Sequence, residues 1–112
     1  KKVLSSMGEG AHVSLNDVEP GRALCLTEGI ETGLAVLIRT GRPVWAMISA
    51  GGLLSFRKPV GPDAIEIWGD NDASFTGQAA AYTLAYQLTV KEKTHTTVML
   101  PERVDTDWAD RT

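Results

Sequence analysis

Four short apolar runs punctuate the chain, with helix-spaced segments between them. They are residues 22–28 (RALCLTE), 43–49 (PVWAMIS), 64–68 (AIEIW) and 96–100 (TTVML). Each is too short for a core helix and is bounded by glycine or proline, which is the pattern of a buried strand. Residues 30–40 (IETGLAVLIRT) set Leu34, Ala35, Leu37 and Ile38 at helical spacing, and Gly41 stands where a helix stops. Residues 76–90 repeat Ala79, Ala80, Thr83, Leu84 and Leu88 with the same period, and Ser74 or Thr76 offers a hydroxyl to cap that helix. A short helical turn over 53–56 and a loop through Pro59, Gly61 and Pro62 complete the middle of the chain. The order strand, helix, strand, strand, helix, strand predicts an α/β fold, a mainly parallel four-stranded sheet flanked by helices. Residues 1–21 are weakly patterned. They read as a lead-in segment with a short strand around 12–15, the tail of an upstream region, and residues 22–112 as the domain itself.

Bulk properties narrow the partners. With 112 residues, 43% of them hydrophobic, the chain can bury one core. A net charge of −3 is the wrong sign for a self-sufficient nucleic-acid clamp, so any phosphate handling must draw positive charge from metal ions or neighbouring domains. The one cysteine, Cys25, excludes an internal disulfide and a multi-cysteine zinc site, and a reducing cytoplasm is the simplest setting. No apolar run approaches the roughly 20 residues of a membrane span, and no signal peptide is visible. The start at Lys1-Lys2-Val3 suggests a piece of something longer.

Acidic residues stand where the strands end. Glu28 closes the first run and Asp70 follows the third, while Asp105 and Asp107 follow the fourth. In an open parallel sheet, ligands bind beyond the carboxyl ends of the strands, so these groups converge on the binding edge. In extended Asp70-Asn71-Asp72, the two aspartates project to one side and Asn71 to the other. Paired carboxylates repel, and a divalent cation removes the repulsion. All-oxygen ligands suit Mg²⁺, often held by one or two carboxylates plus substrate phosphates. The helix that follows favours anions at its start, and Gly77 just inside it permits close approach. Glu28 is a candidate ligand or a base for an attacking hydroxyl, with Gly29 making a tight turn behind it. Asp105, Asp107 and Asp110 would supply a second ion, since two metals about 3.5–4 Å apart can serve the attacking and leaving oxygens of phosphoryl transfer. A plain acidic turn capping a helix and a solvated acidic tail are the alternatives at the aspartates, and a solvated residue at a strand end is the alternative at Glu28.

Taken together, these segments resemble the Toprim family, shared by topoisomerases, primases, OLD-type nucleases and recombination proteins, and among its members the phage- and plasmid-type primases and primase-helicases. Leu26-Thr27-Glu28-Gly29-Ile30-Glu31-Thr32 is similar to that group's strand-then-EGIET segment. Trp68-Gly69-Asp70-Asn71-Asp72 followed by Gly77-Gln78-Ala79-Ala80 resembles its GDND…G.AA segment. Asp105-Thr106-Asp107-Trp108-Ala109-Asp110 resembles its closing DWND stretch, with alanine where asparagine is common. Met7-Gly8 through Leu15 is similar to its leading glycine-bearing strand. The resemblance implies Glu28 in acid–base work or metal binding, Asp70 and Asp72 as Mg²⁺ ligands (Mn²⁺ a substitute), and Asp107 with Asp105 or Asp110 as a further acidic group. It implies RNA primer synthesis for a phage or mobile element by a nucleotidyltransferase acting on nucleoside triphosphates, single-stranded DNA template and RNA primer. The partners it implies are other domains, such as a zinc-binding region or a helicase. Topoisomerases keep their catalytic tyrosine on a separate domain, so Tyr82 and Tyr86, one helical turn apart, read as helix surface or core edge.

Other residues take plainer roles. Cys25, Trp45 and Trp68 lie on predicted strands and read as core. His12 and His95 have no ligand pattern near them. Residues 49–52 (SAGG) are either a backbone contact for phosphate or a turn, and Arg57 and Lys58 are either phosphate contacts or isolated surface charges. Two rival functions stand. A haloacid-dehalogenase-type phosphatase would use Asp70 as nucleophile and Asp72 as acid, but that fold needs more chain after Asp72 than is present. A non-catalytic scaffolding or docking module of a primase-helicase would keep the fold without the chemistry.

Overall fold

A computed structural model describes residues 3–5 and 12–101. Its sheet has six strands: β1 (Val3–Ser5), β2 (His12–Ser14), β3 (Leu24–Thr27), β4 (Val44–Ala46), β5 (Ala64–Trp68) and β6 (His95–Met99). Their order is β1-β2-β4-β3-β5-β6. The four strands expected from the apolar runs form one parallel block, with β3 paired to both β4 and β5, and β5 to β6. The lead-in supplies two antiparallel strands on the β4 edge, β2 beside β4 and β1 beside β2. Only the first of these was legible in the sequence.

Strand alternation divides the side chains between two cores. Leu24, Leu26, Trp45, Ile65 and Ile67 face one side and pack with Leu53, Phe56, Ala81, Leu84 and Leu88. Cys25, Val44 and Trp68 face the other and pack with Leu15 and Val36. Helix α1 (Ile30–Thr40) covers the second face, while α2 (Ala50–Leu54) and α3 (Thr76–Tyr86) cover the first. With both faces covered, the central strands β3 and β4 are buried on both sides, which is why they read as continuous runs.

Three local expectations are corrected. The short helix lies at α2, three residues before the expected turn, because the Ser49 hydroxyl accepts the Gly52 N–H at 3.0 Å and caps it there. The long helix ends as α-helix at Tyr86 and widens into a π turn over Gln87–Lys91, closed by Glu92 N–H on the Gln87 carbonyl at 3.2 Å. Its start is not capped by Ser74 or Thr76: Phe75 occupies the cap position in the left-handed region, at φ 64°, with no side-chain cap of its own. No helix among the described residues is long and apolar enough to cross a membrane.

The connections place the binding edge. After β3 the chain turns into α1 on one face, and after β5 it turns into α3 on the other. Adjacent parallel strands whose connections leave to opposite faces open a crevice at their carboxyl ends. Glu28 follows β3 and Asp70 lies two residues past β5, so this crevice is acidic from both sides.

Candidate functional site

On the β3 side, Thr27 is fully buried and its hydroxyl donates to the Gly29 carbonyl at 2.9 Å, shaping the turn into α1. Helix α1 sits close to the sheet at Gly33, where a Cβ would lie 2.9 Å from Leu15 Cδ1 and 3.0 Å from Thr27 Oγ1. Glu28 is therefore held at the strand end, half-buried. Gly29 itself adopts an ordinary extended conformation at φ −106°, with open space where a Cβ would go, so this turn does not require glycine.

On the β5 side, Asp72 is gripped by the helix that follows it. One carboxylate oxygen accepts the Gly77 N–H and the other accepts the Ser74 hydroxyl, each at 3.1 Å. The Gly77 N–H belongs to the first turn of α3 and has no partner within the helix, so Asp72 performs the capping expected of Ser74 or Thr76. Gly77 makes this possible. A Cβ there would lie 3.0 Å from the Asp70 carbonyl oxygen and 3.1 Å from Asp72 Oδ2. Capping and metal binding are compatible in number: an ionised carboxylate offers about four lone-pair sites, and Asp72 uses two in these bonds. The Asn71 amide donates to the Pro101 carbonyl at 2.8 Å.

The two sides meet. Glu28, Gly29, Ile30, Glu31, Thr32, Ile48 and Asp70 line one open cavity of about 380 Å³. The Glu28 carboxyl is raised above its ordinary value, first by burial and then by the negative charge of Asp72. Glu28 thus shares a cavity with Asp70 and an electrostatic field with Asp72. Among the described residues no group of three or more His, Cys, Asp or Glu side chains closes into a metal cage. The donor set is nevertheless all oxygen and mutually repelling. That suits Mg²⁺, which keeps its waters and takes one or two carboxylates together with substrate phosphates.

The remaining candidates divide. Asp105, Asp107 and Asp110 lie outside the described residues. Arg57 and Lys58 do not line the cavity. They sit on the segment from α2 back to β5, where Arg57 donates to the Phe56 carbonyl at 2.8 Å and Lys58 to the Pro59 carbonyl at 3.2 Å. Residues 49–52 form the capped start of α2. There Gly52 is pressed so hard against the Met47 carbonyl that a Cβ would lie 1.9 Å from its oxygen. Tyr82 and Tyr86 are exposed on α3, and Trp45 and Trp68 are buried. Cys25 is buried, its thiol pushed up to about 12 by burial and then by the Glu66 charge, so it is no nucleophile at neutral pH.

Sequence reasoning missed Ile48. It lines the cavity, is half exposed, and holds φ 78°, a conformation that β-branched residues rarely adopt. Nothing in the sequence signals it, since isoleucine is among the last residues expected at positive φ. Ile48 lies two residues past the end of β4 and next to Met47, whose carbonyl Gly52 approaches closely.

A family model described as Toprim domain matches residues 23–112. No curated protein matches the chain, and no solved structure does.

Proposed function

Because the chain belongs to the Toprim family, whose domains bind metal and process nucleic acids, we propose that it is the Mg²⁺-dependent phosphoryl-transfer domain of a DNA primase. The observation that supports this reading most is the meeting of Glu28 and Asp70 in one cavity at the crevice between β3 and β5, with Asp72 close enough to raise Glu28.

Asp70 and Asp72 would hold the ion, and Glu28 would share it or act beside it. Bound there, Mg²⁺ would offset charge on the substrate phosphates and orient them. The protein's own residues do the rest. Asp72, anchored on the Gly77 N–H, presents a fixed carboxylate rather than a mobile one. Glu28, raised by burial and by Asp72, is a stronger base than an ordinary glutamate. In primer synthesis the oxygen of a primer 3′ hydroxyl bonds to the α-phosphorus of an incoming nucleoside triphosphate. Its proton goes to Glu28, and diphosphate leaves with the electrons of the broken P–O bond. Ile30 and Ile48 add apolar surface to the cavity lining. Further domains supply the cationic surface for template that a chain of net charge −3 lacks. The tail aspartates Asp105, Asp107 and Asp110 belong to this proposal as ligands of a second ion.

An NMR titration with Mg²⁺ and Mn²⁺, with and without nucleotide, tests it. Saturable shifts and Mn²⁺ broadening centred on Glu28, Asp70 and Asp72, and lost in Asp70→Ala and Asp72→Ala, are the expected result. The absence of any localised response, with nucleotide present, would transfer the assignment to a scaffolding module.

A further inference from the structure

Resting on that reading of the site, we infer that Gln78 is a positioning residue: with Asn71 it forms an amide pair that holds the Asp72 carboxylate in place and ties it to the exit of β6. The orientation of the pair follows from its partners. The Pro101 carbonyl can only accept, so Asn71 must turn its NH₂ toward it, at 2.8 Å. That leaves the Asn71 Oδ1 facing Gln78, whose NH₂ donates to it at 2.8 Å. The same Gln78 nitrogen donates to the main-chain carbonyl of Asp72 at 3.1 Å. The Gln78 Oε1 is then forced to the opposite side, where it is buried with no hydrogen-bond partner among the described residues.

An orphaned buried acceptor is unfavourable, and a residue selected for stability alone would avoid it. Its presence follows from using the NH₂ of Gln78 twice on one loop. Asp72 is thereby held from both ends, its main-chain oxygen by Gln78 together with the Phe75 N–H, and its carboxylate by the Gly77 N–H and the Ser74 hydroxyl. Gln78 and Gly77 are neighbours in the first turn of α3, so the helix start grips the loop as a unit. Through Asn71 the same grip reaches Pro101 at the exit of β6. Groups that orient metal ligands from behind affect metal affinity strongly without touching the ion.

The test compares wild type with Gln78→Met, which keeps length and helix propensity but removes both amide groups, and with Leu84→Val, which loosens the buried face of α3 away from the pair. Two readouts are taken: hydrogen exchange at the Gly77 amide without metal, and Mn²⁺ affinity from NMR line broadening. Gln78→Met is expected to speed Gly77 exchange by about 10-fold, beyond any change in global stability, and to weaken Mn²⁺ binding by about 10-fold. Leu84→Val is expected to lower the melting temperature and change neither readout once the stability loss is subtracted. Unchanged Gly77 exchange in Gln78→Met, or an equal effect from Leu84→Val, overturns the inference. If wild type gives no localised Mn²⁺ response but Gly77 exchange still depends on Gln78, the positioning role stands and the metal-dependent function falls.

Discussion

Replacing Gly77 with alanine sets two opposing effects against each other. In a helix interior, alanine is favoured over glycine by about 1 kcal/mol. Against this, the new Cβ would stand 3.0 Å from the Asp70 carbonyl oxygen and 3.1 Å from Asp72 Oδ2. The first of these is backbone and cannot swing aside. Overpacking of this kind costs about 1–3 kcal/mol. If the loop retreats instead, the Gly77 N–H loses Asp72 as its cap, a loss of about 1 kcal/mol. The net expectation for Gly77→Ala is destabilisation by about 1–2 kcal/mol, because the propensity gain is smaller in the first turn than in a helix interior. Urea denaturation reads this as a lower midpoint with an unchanged slope. Gly29→Ala is the control, with open space around its Cβ and an ordinary φ, and should stay within about 0.5 kcal/mol of wild type. A Gly77→Ala protein stabilised by the full propensity gain would refute the close contact between α3 and the aspartate loop.

Other perturbations follow from the same geometry. Gly52→Ala should cost about 3 kcal/mol or prevent folding, since its Cβ would fall 1.9 Å from the Met47 oxygen. Gly51→Ala, whose nearest neighbour is the Ser49 hydroxyl at 3.8 Å, should be neutral or slightly stabilising, and parallel denaturation curves separate the two. Ile48→Gly should raise stability by about 1 kcal/mol by relieving a left-handed β-branched residue, even as it removes an apolar wall of the cavity; a lower midpoint would show that the side chain outweighs the strain. For Glu28, the folded-state value lies above the unfolded one, so the native state binds the extra proton. Stability is therefore lost as pH rises from the ordinary glutamate range through the raised value, and Glu28→Gln should be the more stable protein at neutral pH and lose that advantage in acid. Thermal melts across that range, with and without Mg²⁺, check the sign. Arg42→Met should destabilise by about 1–2 kcal/mol in denaturation, because it leaves the half-buried Glu66 carboxylate with Trp68 and Cys25 as its remaining donors among the described residues.

Much of the architecture was legible from local pattern. The bounds of α1 and β5 coincide with the stretches of helical spacing and apolar alternation that predicted them. Gly41 ends α1 in the left-handed region at φ 68°, as a helix-stop glycine does. These features depend on neighbours in sequence, and periodicity reports them. Strand β1 was not legible: it lies in the weakly patterned lead-in and pairs with β2 alone among the described residues. The π turn after Tyr86 was equally invisible, since a single five-residue turn is too short to show a period of its own.

The candidate site divides along the same line. The chain itself determined which carboxylates follow which strands, and parallel pairing sends them to one edge; Glu28 and Asp70 could be chosen on that ground alone. Their meeting in one cavity depended on strand order. Placing β5 rather than β6 beside β3 is a long-range choice, and it opens the crevice between those two residues. The caps, too, were decided in three dimensions. Ser74 and Thr76 had the right chemistry for the start of α3, yet the Asp72 carboxylate reached the Gly77 amide because glycine let the loop descend onto the helix. Arg57 and Lys58 lie only a few residues beyond α2, but the chain is already returning to β5 there, so their charge falls outside the cavity lining. Residue type and period are local properties of a chain. Which side chains face one another is a property of packing, and packing set the partners of Asp72, the strain at Ile48 and the clamp through Gln78.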